Sequence, residues 1–284
     1  KIARTYGELN FEKKKYKIIT LENSFHGRTI TTVKATGQSS FHQSKFAPYP
    51  DGFSFNAIDD VYNAIDDETV AVMIELVQGE GGVFPFDKEK IKELAKFLKE
   101  NDILLIIDEV QTGVFRTGEF LASNLYEIEP DIITLAKGIG GGVPMGAVIT
   151  KHKDIWTAGD HGSTFGGNYL VTAAALEVLD ILENLKDSGT LDETIIYFTK
   201  KLNDIFEANR DIFITHVGLG LMRGLRVKDA DTLASLIKTA FECGVMVLKS
   251  GNNTLRFLPA LTISKSEIDE GFIRLQKAIT KIKS

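Results

Sequence analysis

A mostly parallel α/β sheet domain followed by a smaller α+β domain is the architecture this sequence predicts. Three observations carry that prediction. The runs at 70–77, 103–107 and 132–135 are predominantly apolar rather than alternating, which suits parallel strands buried on both faces. A helical pattern separates the first two: Asp87 can cap a helix whose Ile91, Leu94, Ala95 and Leu98 fall at i, i+3, i+4 and i+7. Beyond the polar stretch 186–189 the order changes to short strand-like runs mixed with amphipathic helices. These observations place a large domain at 1–185 and a small C-terminal domain at 186–284.

The elements follow in order. The opening KIARTYG reads as the last turn of a helix stopped by Gly7, and the first part of the protein is expected to be missing from the chain. From Lys17 the string KIITLENSFHGRT reads as a strand running into a polar loop at 22–28. Residues 37–55, rich in Ser, Pro, Gly and aromatics, read as an ordered surface loop, with a short helix near 58–65. After the three apolar runs, 146–150 reads as a further strand. A glycine-rich stretch at 161–168 and a long apolar helix at 169–185 close the first domain. In the second, Ile195, Phe198, Leu202 and Ile205 mark a helix. Strands are predicted at 212–217, 222–227, 245–248 and 255–257, and helices at 232–242 and 266–283. Ile268, Phe272, Leu275, Ile279 and Ile282 line one face of the last helix.

Composition narrows the function. The 284 residues suffice for one large domain or two, and a formal charge of −6 with no dense basic cluster beyond 13–15 argues against nucleic acid or an anionic membrane as partner. Cys243 is the only cysteine, so an intrachain disulfide is excluded and a reducing compartment is expected. Its neighbours Phe241, Val245 and Val247 make it read as a small buried hydrophobe. No run approaches the ~20 apolar residues of a membrane helix, and no signal peptide opens the chain, so a cytoplasmic location is expected.

Several chemistries fail on spacing. No triple around residues 138–146 or 218–224 satisfies G-x-G-x-x-G, and no P-loop is present, which removes the fingerprint of a nucleotide-dependent oxidoreductase. The histidines form no H-E-x-x-H and no C-x-x-C exists, so no metal site is expected. No G-x-S-x-G elbow is present. What remains is Asp108 closing one strand and Lys137 following another. Each alone reads as unremarkable: Lys137 as a snorkelling surface amine, Asp108 as a turn cap. The glycines after Lys137 let backbone approach a ligand closely. A lysine so placed can form a Schiff base with a carbonyl cofactor, and an acid can pair with a pyridinium nitrogen; together they meet the requirements of pyridoxal phosphate.

The strings IIDEVQTGVFRTG, TLAKGIGGGVPMGA and HGSTFGGN resemble the class III, ornithine-aminotransferase-like subgroup of pyridoxal phosphate-dependent aminotransferases. GDHGSTFGGN, NSFHGRT and TLRFLPALTIS are most similar to its members that act on N2-acetylornithine. The resemblance implies the fold type I, aspartate aminotransferase-like architecture. It makes Lys137 the cofactor-linked lysine, Asp108 the partner of the pyridine nitrogen, Gln111 a contact of the ring's phenolic oxygen and Phe25 the aromatic that stacks on the ring. It gives Arg28 a substrate carboxylate, and Ser163 and Thr164 contacts with substrate and cofactor phosphate across a homodimer interface. Arg256 takes a second carboxylate with Glu80 as its switchable partner; His26, beside Phe25, is left without a catalytic role. The implied reaction passes the terminal amine of N2-acetylornithine to 2-oxoglutarate, giving N-acetylglutamate 5-semialdehyde and glutamate in arginine biosynthesis. Ornithine, succinylornithine, succinyldiaminopimelate and 4-aminobutyrate stay open as donors, as does a non-catalytic pyridoxal phosphate-binding relative. The family's phosphate-binding turn would precede the helix that ends near Gly7.

Overall fold

The computed structural model describes residues 1–283. Its elements are α1 (Ile2–Leu9), β1 (Lys17–Leu21), α2 (Ile30–Ala35), β2 (Phe53–Asn56), α3 (Val61–Ala64), β3 (Thr69–Ile74), β4 (Val77–Gln78), β5 (Phe84–Pro85), α4 (Lys88–Glu100), β6 (Leu104–Asp108), α5 (Ala122–Tyr126), β7 (Ile132–Leu135), β8 (Ala147–Thr150), α6 (Tyr169–Asp187), α7 (Thr190–Ala208), β9 (Phe213–Leu219), β10 (Met222–Val227), α8 (Ala230–Glu242), β11 (Leu248–Ser250), β12 (Thr254–Phe257) and α9 (Lys265–Lys283). They form two compact units. The first comprises Lys1–Leu76, Phe86–Gly113 and Leu121–Val178; the second comprises Val77–Pro85, Val114–Phe120 and Leu179–Ser284.

In the first unit six strands run in the order β2-β1-β3-β6-β7-β8, all parallel except β8, which is antiparallel to β7. Every residue of β6 is buried, and β3 is buried except at Met73, as continuous apolar runs require. One sheet face packs Ile18, Val70, Leu104, Ile106 and Ile132 against Ile2 and Ala3 of α1. Helix α4 starts where Asp87 accepts from the Lys90 N–H and buries Ile91, Leu94 and Leu98. The parallel register sets Asp108 opposite Thr134, so the carboxyl ends of β6 and β7 finish side by side.

The second unit carries an antiparallel sheet in the order β11-β12-β10-β9, with α8 and α7 packed against α9. The short pair β4–β5 joins it by burying Val77 and Val83 against Met222.

Some expectations are corrected. Gly7 lies inside α1, which ends at Leu9 with Asn10 as its cap; a Cβ at Gly7 would stand 1.9 Å from the Lys15 carbonyl oxygen, so the glycine serves a close approach rather than a stop. The loop expected at 37–55 contains the start of β2, which pairs with β1. The strand expected at 245–248 is β11, beginning only at Leu248. Gly244 adopts φ +82 and the Val245 N–H bonds back to the Ala240 carbonyl, so the end of α8 consumes this backbone first. Cys243 is half-buried and Phe241 is 72% exposed, contrary to a fully buried thiol. The border between the two units falls within α6, and Val77–Pro85 and Val114–Phe120 belong to the second.

Candidate active site

Asp108 is the last residue of β6 and is 7% exposed. Its Oδ1 accepts from the Val110 N–H at 3.1 Å and the Thr134 hydroxyl at 3.2 Å; its Oδ2 lies 2.8 Å from His26 Nδ1. The His26 side chain is 1% exposed, and its backbone N–H donates to the Thr36 hydroxyl. Burial pulls the imidazole pKa down, but the hydrogen bond to Asp108 and the charges of Asp108 and Glu75 outweigh it, so the pKa lies above the ordinary histidine value. A carboxylate has about four acceptor positions, and these three contacts leave capacity for a further donor.

Lys137 follows β7 by two residues and opens the 3₁₀ turn Lys137–Gly140. Its φ is +50, a left-handed conformation that a non-glycine residue holds only where packing enforces it. Here Ile139 anchors the turn at 5% exposure, while the Lys137 side chain is exposed. The next turn requires glycine: Gly141 has φ +57, and a Cβ there would lie 2.5 Å from Val178.

The loop after β1 supplies the remaining groups of the first unit. The Phe25 N–H donates to buried Glu75 at 2.8 Å, and its ring meets Phe41 edge-on at 5.3 Å. The Arg28 guanidinium lies 5.6 Å from the Phe25 ring and 5.3 Å from Phe41, a cation–π arrangement that leaves the arginine exposed. Half-buried Gln111 sits on the turn after β6. That turn is held by Glu109, whose buried carboxylate accepts from the Thr112 hydroxyl and from the N–H groups of Ala122 and Ser123 at the start of α5. Burial raises the Glu109 carboxyl above its usual range, against those hydrogen bonds.

Ser163 and Thr164 stand on an exposed stretch, where Ser163 Oγ accepts from the Gly166 N–H. Among the described residues neither side chain bonds to another expected site residue. Around them Phe165, Tyr169 and Leu170 are 81, 96 and 74% exposed.

Glu80 and Arg256 are paired within the second unit. Arg256, on β12 and 7% exposed, donates from Nη1 to Glu80 Oε1 at 2.8 Å and to the Gly79 carbonyl at 2.9 Å. A cavity of about 330 Å³ in the same unit is mainly apolar, lined by Phe198, Val247, Phe257, Phe272 and Leu275, with Arg256 and Glu267 also on its wall.

The structure thus brings Asp108 together with His26 and Thr134, Phe25 with Arg28, and Glu80 with Arg256. Reading the sequence missed His26, Thr134 and Glu75 as partners. His26 was signalled only by its place beside Phe25, and Thr134 only by the strand register. The donor set fits pyridoxal phosphate: a buried carboxylate with acceptor capacity for a ring N–H, an amine on the neighbouring strand end, and an aromatic ring.

Comparison with known proteins agrees. Residues 1–279 match the family model Aminotransferase class-III. A curated acetylornithine aminotransferase of Wolinella succinogenes is 56% identical over 99% of this chain and 72% of its own length. A succinylornithine transaminase of Salmonella paratyphi B is 40% identical over the whole chain and 71% of its own length. The crystal structure of ornithine aminotransferase from Toxoplasma gondii superposes with a TM-score of 0.91 at 29% identity, over 99% of this chain and 69% of that one. A sheet ending in a buried acid beside a lysine-bearing turn is therefore no isolated likeness: the chain belongs to the class-III aminotransferases, a pyridoxal phosphate-dependent family.

Proposed function

We propose that this chain transfers the terminal amine of N2-acetyl-L-ornithine to 2-oxoglutarate, giving N-acetyl-L-glutamate 5-semialdehyde and glutamate. The observation that carries the chemistry is buried Asp108 at the end of β6, one strand from the turn that presents Lys137. The choice of donor is supported by the Wolinella succinogenes relative's name, which specifies acetylornithine.

In this reading Asp108, Phe25, Gln111 and Lys137 hold pyridoxal 5′-phosphate, with Thr164 at its phosphate. When bound, the cofactor supplies a conjugated ring that takes up the electron pair released as a substrate C–H bond breaks. Asp108 keeps a proton on the ring nitrogen, and His26 fixes the carboxylate in the orientation that does so. The Lys137 amine takes the proton from the substrate carbon and returns it at the second centre, acting as base and then acid. Arg28 receives one substrate carboxylate. Arg256 receives the second carboxylate of 2-oxoglutarate or glutamate once Glu80 turns away, a task suited to guanidinium geometry.

The exposed apolar surface of Phe165, Tyr169 and Leu170 supports a homodimer in which Ser163 and Thr164 serve the partner copy's site. We further propose a cofactor domain at 1–185, a small domain at 186–284, and a cytoplasmic role in arginine biosynthesis. Among the described residues no helix is long and apolar enough to cross a membrane.

Borohydride treatment of the cofactor-loaded protein should fix the cofactor on Lys137, and Lys137→Ala should abolish the adduct; a trapped adduct in that variant overturns the assignment. A panel of N2-acetylornithine, ornithine, N2-succinylornithine, succinyldiaminopimelate and 4-aminobutyrate, each with 2-oxoglutarate, should give the highest kcat/KM with the first. A higher value for another donor overturns the substrate.

A further inference from the structure

We infer that Ser250 is a positioning residue for the second-carboxylate seat: it pins the Gly79 peptide so that Arg256 keeps its aim when Glu80 leaves it. The inference rests on reading the Arg256–Glu80 pair as that seat.

The Gly79 carbonyl accepts two hydrogen bonds, from Ser250 Oγ at 2.7 Å and from Arg256 Nη1 at 2.9 Å. Ser250, only 3% exposed, also accepts from the Gly82 N–H at 3.0 Å, so one hydroxyl holds both ends of the 79–82 turn. Its neighbours hold the middle: the Gly251 N–H donates to the Glu80 carbonyl at 2.9 Å and Asn252 Nδ2 to the Gly81 carbonyl at 3.0 Å. Val83 secures the far flank. It is fully buried with φ +53, a strained conformation for a β-branched residue, and its methyls fill the space above Gly218 and Gly224.

The backbone around Glu80 is therefore fixed, while its side chain, 34% exposed, can rotate. When it does, Arg256 Nη1 loses the carboxylate but keeps the Gly79 carbonyl, whose place is set by Ser250. A shifted Gly79 carbonyl would move the acceptor that Nη1 keeps, and with it the direction in which that nitrogen faces an incoming carboxylate. Ser250 should thus matter for the substrate that uses Arg256 and hardly at all for a donor that does not.

The two half-reactions of the cofactor-loaded protein, followed separately by cofactor absorbance, test this. Ser250→Ala should lower kcat/KM for 2-oxoglutarate about tenfold, chiefly through KM, and change the N2-acetylornithine half-reaction less than about twofold, as loss of one neutral hydrogen bond allows. Ser250→Thr, which keeps the hydroxyl, should recover most of the loss. Ser250→Cys, a weaker donor of similar shape, gives the same split in smaller degree and serves if the alanine variant does not accumulate. Equal losses in both half-reactions, or none in either, overturn the inference. Glu80→Ala separates the two levels: it should change the ratio of the half-reactions, and an unchanged ratio would reject the Arg256–Glu80 reading itself.

Discussion

Replacing His26 by Gln keeps a side-chain donor for Asp108 and removes the group that titrates. In the folded protein the imidazole pKa lies above its ordinary value of 6.5, because the Asp108 bond and nearby carboxylates overcome burial. Between the unfolded and folded values the native state holds up to one proton more than the unfolded state. The stability contributed by His26 is therefore complete below about pH 6.5 and is lost as pH rises through the folded pKa, with a slope of at most ~1.4 kcal/mol per pH unit. His216, whose pKa is lowered by burial and by Arg223, has the opposite sign but is common to both proteins and cancels in their difference. Urea denaturation of cofactor-free protein at closely spaced pH values between about 6 and 9, where carboxylates remain ionised, should show wild-type stability falling relative to His26→Gln. Parallel curves would refute the argument that Asp108 and its neighbours raise this histidine.

Two further outcomes follow from the same unit. Asp108→Asn should retain cofactor but lose about 10²–10⁴-fold in kcat, the range for a misplaced proton; near-normal turnover under saturating substrates would remove Asp108 from the chemistry. Glu109→Ala removes the acceptor of two buried N–H groups of α5, and should destabilise the protein by about 2–4 kcal/mol. A denaturation midpoint indistinguishable from wild type would show that water replaces the carboxylate.

What could be read from sequence was what local pattern determines. The strand ending at Asp108 was legible because 103–107 is apolar without interruption, the one near Lys137 because only Thr134 breaks its apolar run, and α4 because Asp87 and three buried residues share one period. Strand β10 was legible to the residue. Strand β2 was hidden because its FSFN sequence is partly exposed and sits among loop residues. The start of β11 was misplaced because Gly244 and Val245 first close α8, a competition that an apolar count does not register. Of the candidate site, Asp108 and Lys137 were singled out by their strand ends together with the glycines after Lys137. The roles of Phe25, Gln111, Arg28, Ser163, Thr164, Glu80 and Arg256 came through family resemblance. His26 had no local signature, since its importance lies in burial and in a contact 82 residues away in sequence.

The interleaving of the two units bears on how the chain is made. Val77–Pro85 and Val114–Phe120 are translated long before β9 and β10, yet Val83 fits above Gly218 and Gly224, and Arg116 donates to the carbonyls of Leu221 and Pro259. These segments leave the ribosome with apolar surface uncovered, the circumstance in which long-range topologies fold slowly and expose themselves to aggregation. The C-terminal unit cannot finish as an autonomous module. Its assembly waits on a hairpin and a strap supplied by the first half of the chain, and a gene fragment encoding 186–284 alone would yield a sheet with its Val83 slot empty.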